Sequence, residues 1–88
     1  MLFQSGKIVA TAGALSLAEH GLDLLGYIQR HLNGDWGDLC EEEDKAENNF
    51  SLEHGFRLLS TYNTPLGKLW LITEADRSVT TILLPEEY

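Results

Sequence analysis

The amino-acid sequence predicts an α+β domain, with about three N-terminal helices packed on a C-terminal three-stranded antiparallel meander. Apolar residues recur at helical spacing as far as His54, and from Phe56 onward the period shortens to two. Gly or Pro punctuates nearly every change of element. With 88 residues, 43% of them hydrophobic and 23% charged, the chain reads as one folded domain spanning residues 1–88. A domain of this size buries only about 60–65% of the surface its unfolded chain exposes, so a homodimer would be one way to add stability.

Lys7-Ile8-Val9-Ala10 is a short β-branched run, read as a brief strand or an extended lead-in. Thr11 is a helix cap, Ala14, Leu15, Leu17 and Ala18 form the buried stripe of a first helix, and His20-Gly21 closes it. Asp23 caps a second helix reaching about Asn33, whose inward face is Leu24, Leu25, Ile28 and Leu32. The Gly34–Cys40 segment is a loop in which Trp36, too large to leave in water, plugs the core. A third helix runs from about Glu41 to His54, with Ala46, Phe50 and Leu52 inward. Three strands follow, near Arg57–Tyr62, Lys68–Thr73 and Val79–Leu84, turning at Asn63–Gly67 and Glu74–Ser78. The middle strand is apolar on both sides, as a central strand is, and Pro85 ends the last one.

Fourteen acids against six bases give a net charge of −8. That balance opposes direct binding to nucleic acid or to an anionic membrane, because Lys and Arg supply the affinity for phosphate in both cases. It leaves basic protein surfaces, those of nucleic-acid-binding proteins included, cations and neutral ligands as candidate partners. A single cysteine, Cys40, cannot form an internal disulfide, no signal-peptide pattern opens the sequence and no run approaches membrane-spanning length. The expected location is the cytoplasm.

The acids concentrate in a belt, Asp35, Asp38, Glu41, Glu42, Glu43, Asp44 and Glu47, opposed locally only by Lys45. Asp35, Asp38 and Glu41–Asp44 form the candidate interaction surface, with Trp36 as its aromatic anchor if that ring is exposed rather than plugged into the core. Their spacing does not fit a calcium loop. Glu74, Asp76 and Arg77 share one turn and make a secondary candidate; the competing reading is that Asp76 and Ser78 bond the turn backbone while Arg77 pairs with an acid. His20, His31 and His54 each stand near a helix end, which suggests capping of the last carbonyls. No zinc spacing, nucleophile elbow, Walker loop or dinucleotide fingerprint occurs, so no catalytic residue, metal or cofactor is assigned.

Three runs together carry a resemblance: Arg30-His31-x-x-Gly34-Asp35-Trp36-Gly37-Asp38, Glu42-Glu43-Asp44-x-x-x-Asn48, and Leu69-Trp70-x-Ile72-Thr73-Glu74-Ala75-Asp76-Arg77-Ser78-Val79-Thr80-Thr81, closing on Leu83–Tyr88. In these the chain resembles a small bacterial family whose members are labelled hypothetical or plasmid-related, some of them as a type I restriction–modification subunit. So short a chain has no room for the cofactor-binding domain of a methyltransferase. The resemblance implies a bacterial accessory protein carried on mobile elements, and it implies no activity or catalytic residues. The expected function is a non-enzymatic, acidic protein-interaction module, such as an anti-defence protein. The alternative is a small metal-assisted hydrolase or nuclease-like enzyme with Asp35, Asp38, Asp76 or Arg77 in its site, which requires at least two of those acids to converge within metal-ligand reach. An RNA-cleaving toxin is disfavoured, because such proteins need a basic face.

Overall fold

A computed structural model describes residues 1–38 and 42–88, with residues 42–44 from their backbone alone. The elements are β1 (Lys7–Ala10), α1 (Ala12–Glu19), α2 (Leu24–Leu32), α3 (Glu42–His54), β2 (Leu58–Thr64), β3 (Gly67–Thr73) and β4 (Val79–Leu83), then a final 3-10 turn, Pro85–Glu87. The two caps read from the sequence are formed: the side chain of Thr11 accepts from the Ala14 N–H and that of Asp23 from the Gly26 N–H. Each satisfies one backbone donor that the first helical turn leaves without an intrahelical partner.

The fold is α+β, but the expected arrangement is corrected. The sheet has four strands in the order β1-β4-β3-β2 and is mixed. β2, β3 and β4 run antiparallel in succession, while β1 lies parallel to β4 with Lys7 beside Val79 and Ala10 beside Ile82. A strand therefore precedes all three helices, and β4 is internal. Lys7–Ala10 is too short to show a period, and its partner lies about seventy residues away in sequence, so no local pattern announces the pairing.

One face of the sheet, the inner one, carries Leu58, Ser60, Tyr62, Leu69, Leu71, Thr73, Thr80 and Ile82, all buried. Ala14 of α1 and Ile28 of α2 close over this face with Leu17, Leu22, Leu24, Tyr27 and Leu32. Leu15 and Leu25, expected inward, are 50% and 62% exposed, and the second helix buries His31 instead. α3 lies along β2 rather than on a face. Among its described side chains the buried one is Asn48; Ala46 is exposed and Phe50 is 54% exposed, stacked on Phe56 at the surface.

Asn48 explains that placement. Its side-chain amide donates to the Leu59 carbonyl (2.5 Å) and accepts from the Leu59 N–H (3.1 Å), as a neighbouring strand would. The loop before α3 continues the cover. Thr61 donates to the Trp36 carbonyl (3.2 Å) and accepts from the Asp38 N–H (2.6 Å), and the Asp38 carboxylate accepts from the Asn63 N–H (2.7 Å). Gly37, at φ 76°, permits this approach, since a Cβ there would overlap the Thr61 carbonyl and the Tyr62 ring. Unpaired strand edges invite association with other chains. Here the edge of β2 is closed from Leu59 to Asn63.

Candidate functional site

The acidic residues singled out in the sequence are largely structural where the structure describes them. Asp35 accepts from the Arg30 guanidinium at 2.7 Å and from the Gly37 N–H, and the Arg30 bond holds its carboxyl below the usual range. Arg30 in turn lies over the Tyr62 ring, 4.6 Å from its centroid, and the Tyr62 hydroxyl donates to the Asp35 carbonyl. Asp38 belongs to the cover on β2. Trp36 is 5% exposed and plugs the core, with its indole N–H donating to Asn49. It stacks on Phe3 and meets His31 edge-on. It therefore offers no aromatic anchor at the surface. Glu41 and Cys40 lie outside the described residues, as do the side chains of Glu42, Glu43 and Asp44.

The secondary candidate is a turn that holds itself together. Asp76 accepts from Ser78, whose hydrogen bonds lower its pKa. Arg77, at φ 60°, donates to the carbonyls of Phe56, Glu74, Ala75 and Ser51, fastening the end of α3 to the β3–β4 turn. It bonds carbonyls rather than the expected acid. Glu74 instead lies 3.7 Å from Arg57. Asp38 reaches Asn63, which pairs with Lys68 at the start of β3, whereas Asp76 lies beyond Thr73 at its end. The strand between them spans roughly 17 Å at about 3.3 Å per residue, so these carboxylates do not converge. Among the described residues no three His, Cys, Asp or Glu side chains are placed to hold a metal ion.

The histidines divide. His20 Nδ1 bonds the Ser16 carbonyl at 2.8 Å, as a capping residue does. His31 does not cap. Fully buried, it lies 2.5 Å from Ser60 Oγ through Nδ1 and 2.9 Å from Thr73 Oγ1 through Nε2. Thr73 reaches Thr80 Oγ1 (2.7 Å), which donates to the Ser5 carbonyl (2.8 Å). That carbonyl can only accept, which fixes every proton. Thr80 gives its proton to Ser5, Thr73 to Thr80, His31 Nε2–H to Thr73, and Ser60 to His31 Nδ1. Burial, with a smaller contribution from the Arg77 charge, pushes the imidazole down to about 4, so it is neutral at pH 7. A serine–histidine contact would suit nucleophilic catalysis in a cleft. Here both side chains are fully buried, and the chain ties β2, β3, β4 and the approach to β1 together. Nothing in the sequence beyond the hydroxyls at alternating strand positions signals it.

The surface that sequence reasoning does not identify is the outer face of the sheet, opposite α1 and α2. Arg57, Leu59, Trp70, Ile72 and Tyr88 line a shallow cleft of about 120 Å³ there. Trp70, expected in the core, is half-buried and meets the exposed Tyr88 ring edge-on at 5.6 Å. Arg57 lies 5.5 Å over the same ring and donates to its hydroxyl at 3.0 Å. Leu59, Trp70 and Ile72 occupy one face because β2 and β3 pair Leu59 with Ile72 and Thr61 with Trp70. The result is an apolar floor with a cation and a phenol at its rim.

With this geometry the chain is a small α+β domain with a mixed four-stranded sheet. No family model matches it, and no curated protein or solved structure is detectably similar. No helix of the described residues is long and apolar enough to cross a membrane.

Proposed function

We propose that the protein is a non-enzymatic interaction module, and that it receives a partner protein on the outer face of its sheet. The observation that carries this reading is the cleft floored by Leu59, Trp70 and Ile72 and rimmed by Arg57 and Tyr88. Trp, Tyr and Arg are enriched among the residues that dominate binding energy at protein interfaces, and here one of each surrounds an apolar floor. The chemistry suits an apolar or aromatic side chain presented by a peptide segment, with a hydrogen-bond acceptor near Arg57. The acidic belt contributes less than its sequence suggests, because Asp35 and Asp38 are engaged within the fold. The resemblance to plasmid-related proteins supports a role as a mobile-element accessory protein that engages a host component.

Selection of peptides from a displayed library, followed by NMR mapping of the complex, tests the reading. The selected sequences should share an apolar residue, shift the Trp70 indole N–H and lose binding to the Leu59→Glu variant. Peptides that instead perturb only α3, and bind Leu59→Glu unchanged, would move the site back to the acidic belt.

A further inference from the structure

Among the described residues nothing covers the second edge of the sheet, and its residues match a copy of themselves. In β1 the Lys7 N–H donates to the Ser78 carbonyl (2.9 Å) and the Thr11 N–H to the Ile82 carbonyl (3.0 Å). Odd-numbered residues thus turn toward β4. Ile8 and Ala10 direct their N–H and C=O groups outward, where none has a partner among the described residues. Ile8 is also 44% exposed. We propose that two copies of the chain associate through β1, antiparallel about a two-fold axis at Val9, to form one continuous sheet.

The geometry sets the register. Outward-facing residues must oppose one another, so Ile8 meets the second copy's Ala10 and exchanges both hydrogen bonds with it. Val9 meets Val9, and Lys7 falls opposite Thr11. The larger exposed side chain is thereby matched with a small one. The charge is matched as well, since Thr11 Oγ1 donates to the Glu87 carboxylate at 2.5 Å and Glu87 also accepts from the Gly13 and Leu84 N–H groups. Lys7 of each copy therefore approaches a carboxylate fixed on the other. A short edge strand bearing a lysine is ordinarily a defence against pairing. Here the lysine finds its counter-charge in register. A foreign strand would have to bring both a cation opposite Thr11 and an acceptor opposite Lys7, whereas β1 already carries both. The interface is small, so the dissociation constant should fall in the micromolar to millimolar range.

Sedimentation of the intact chain up to millimolar concentration, with Ile8→Pro and Lys7→Glu beside it, tests the pairing. Proline at position 8 removes only an outward N–H, and circular dichroism checks that the variant folds. Each substitution should weaken the dimer about tenfold or more, which corresponds to about 1.4 kcal/mol. In a Cys40→Ser background, Val9→Cys should form an intermolecular disulfide on oxidation. Residues facing each other at a non-hydrogen-bonded antiparallel position lie about 4.5 Å apart between Cα atoms, within disulfide reach. A chain that stays monomeric at millimolar concentration, or a dimer that ignores Lys7→Glu and does not cross-link through Val9→Cys, overturns the proposal.

Discussion

At one edge of the sheet, β2, three successive outward N–H groups are satisfied by Asn48, the Trp36 carbonyl and the Asp38 carboxylate. At the other, β1, Ile8 and Ala10 face outward with no partner among the described residues. Both edges are built by a glycine at positive φ that lets backbone come close. Gly37 brings the loop against β2, and Gly6, whose added Cβ would strike the Ser78 backbone, brings the chain alongside β4. The difference lies in the residues on the C-terminal side of each glycine. After Gly37 come Asp38 and, further on, Asn48, side chains able to imitate a strand. Gly6 leads into four residues that leave the edge bare. The side chains of Asp38 and Asn48 thus seal one edge of the sheet.

The His31 chain joins the two edges, and acid should break it with the largest effect. The unfolded imidazole titrates at its ordinary 6.5, the buried one only at about 4. Its contribution is complete above pH 6.5 and falls by about 1.4 kcal/mol per unit as pH drops toward 4, to a total of about 3 kcal/mol. Below that both states are protonated and the loss levels off. Denaturant unfolding at pH 7.5 and 4.5 measures it, and the acid loss should shrink by most of that amount in His31→Gln.

Part of this fold is legible in the residues. Thr11, Asp23 and the glycines after the helices mark boundaries through local hydrogen bonding and backbone freedom, and Leu69–Thr73 reads as an internal strand because apolar residues fill both of its faces. The illegible part depends on partners distant in sequence. The Lys7–Ala10 run has no period of its own, so nothing in it reveals its parallel pairing with β4. Asp35 and Asp38 read as a binding surface because the sequence shows that acids cluster and cannot show that Arg30 and Asn63 meet them. His31 reads as a cap because its serine and threonine partners lie 29 and 42 residues away. The outer-face cleft is hidden because Trp70 in a central strand ordinarily means core.

Asn48→Ala is the next sharpest way to disturb the comparison. It removes both bonds to Leu59 and uncovers the β2 edge, at a cost of about 2 kcal/mol. Chemical denaturation should show the loss, and light scattering should show association beyond the β1-paired dimer of the parent chain, through the uncovered β2 edge. Asp35→Asn should matter least. Its ion pair with Arg30 is about half exposed, so water screening leaves under about 1 kcal/mol. A larger loss in thermal unfolding would mean that the loop cover depends on this carboxylate more than on Asp38 and Gly37.

Amide hydrogen exchange, followed residue by residue at two protein concentrations, is the most direct test of the unequal edges. At low concentration Leu59, Thr61 and Asn63 should exchange slowly and Ile8 and Ala10 fast. At high concentration Ile8 and Ala10 should become protected while the β2 amides stay as they were. Equal protection of Ile8 and Leu59 in the dilute protein, or rapid exchange along β2, would contradict the account.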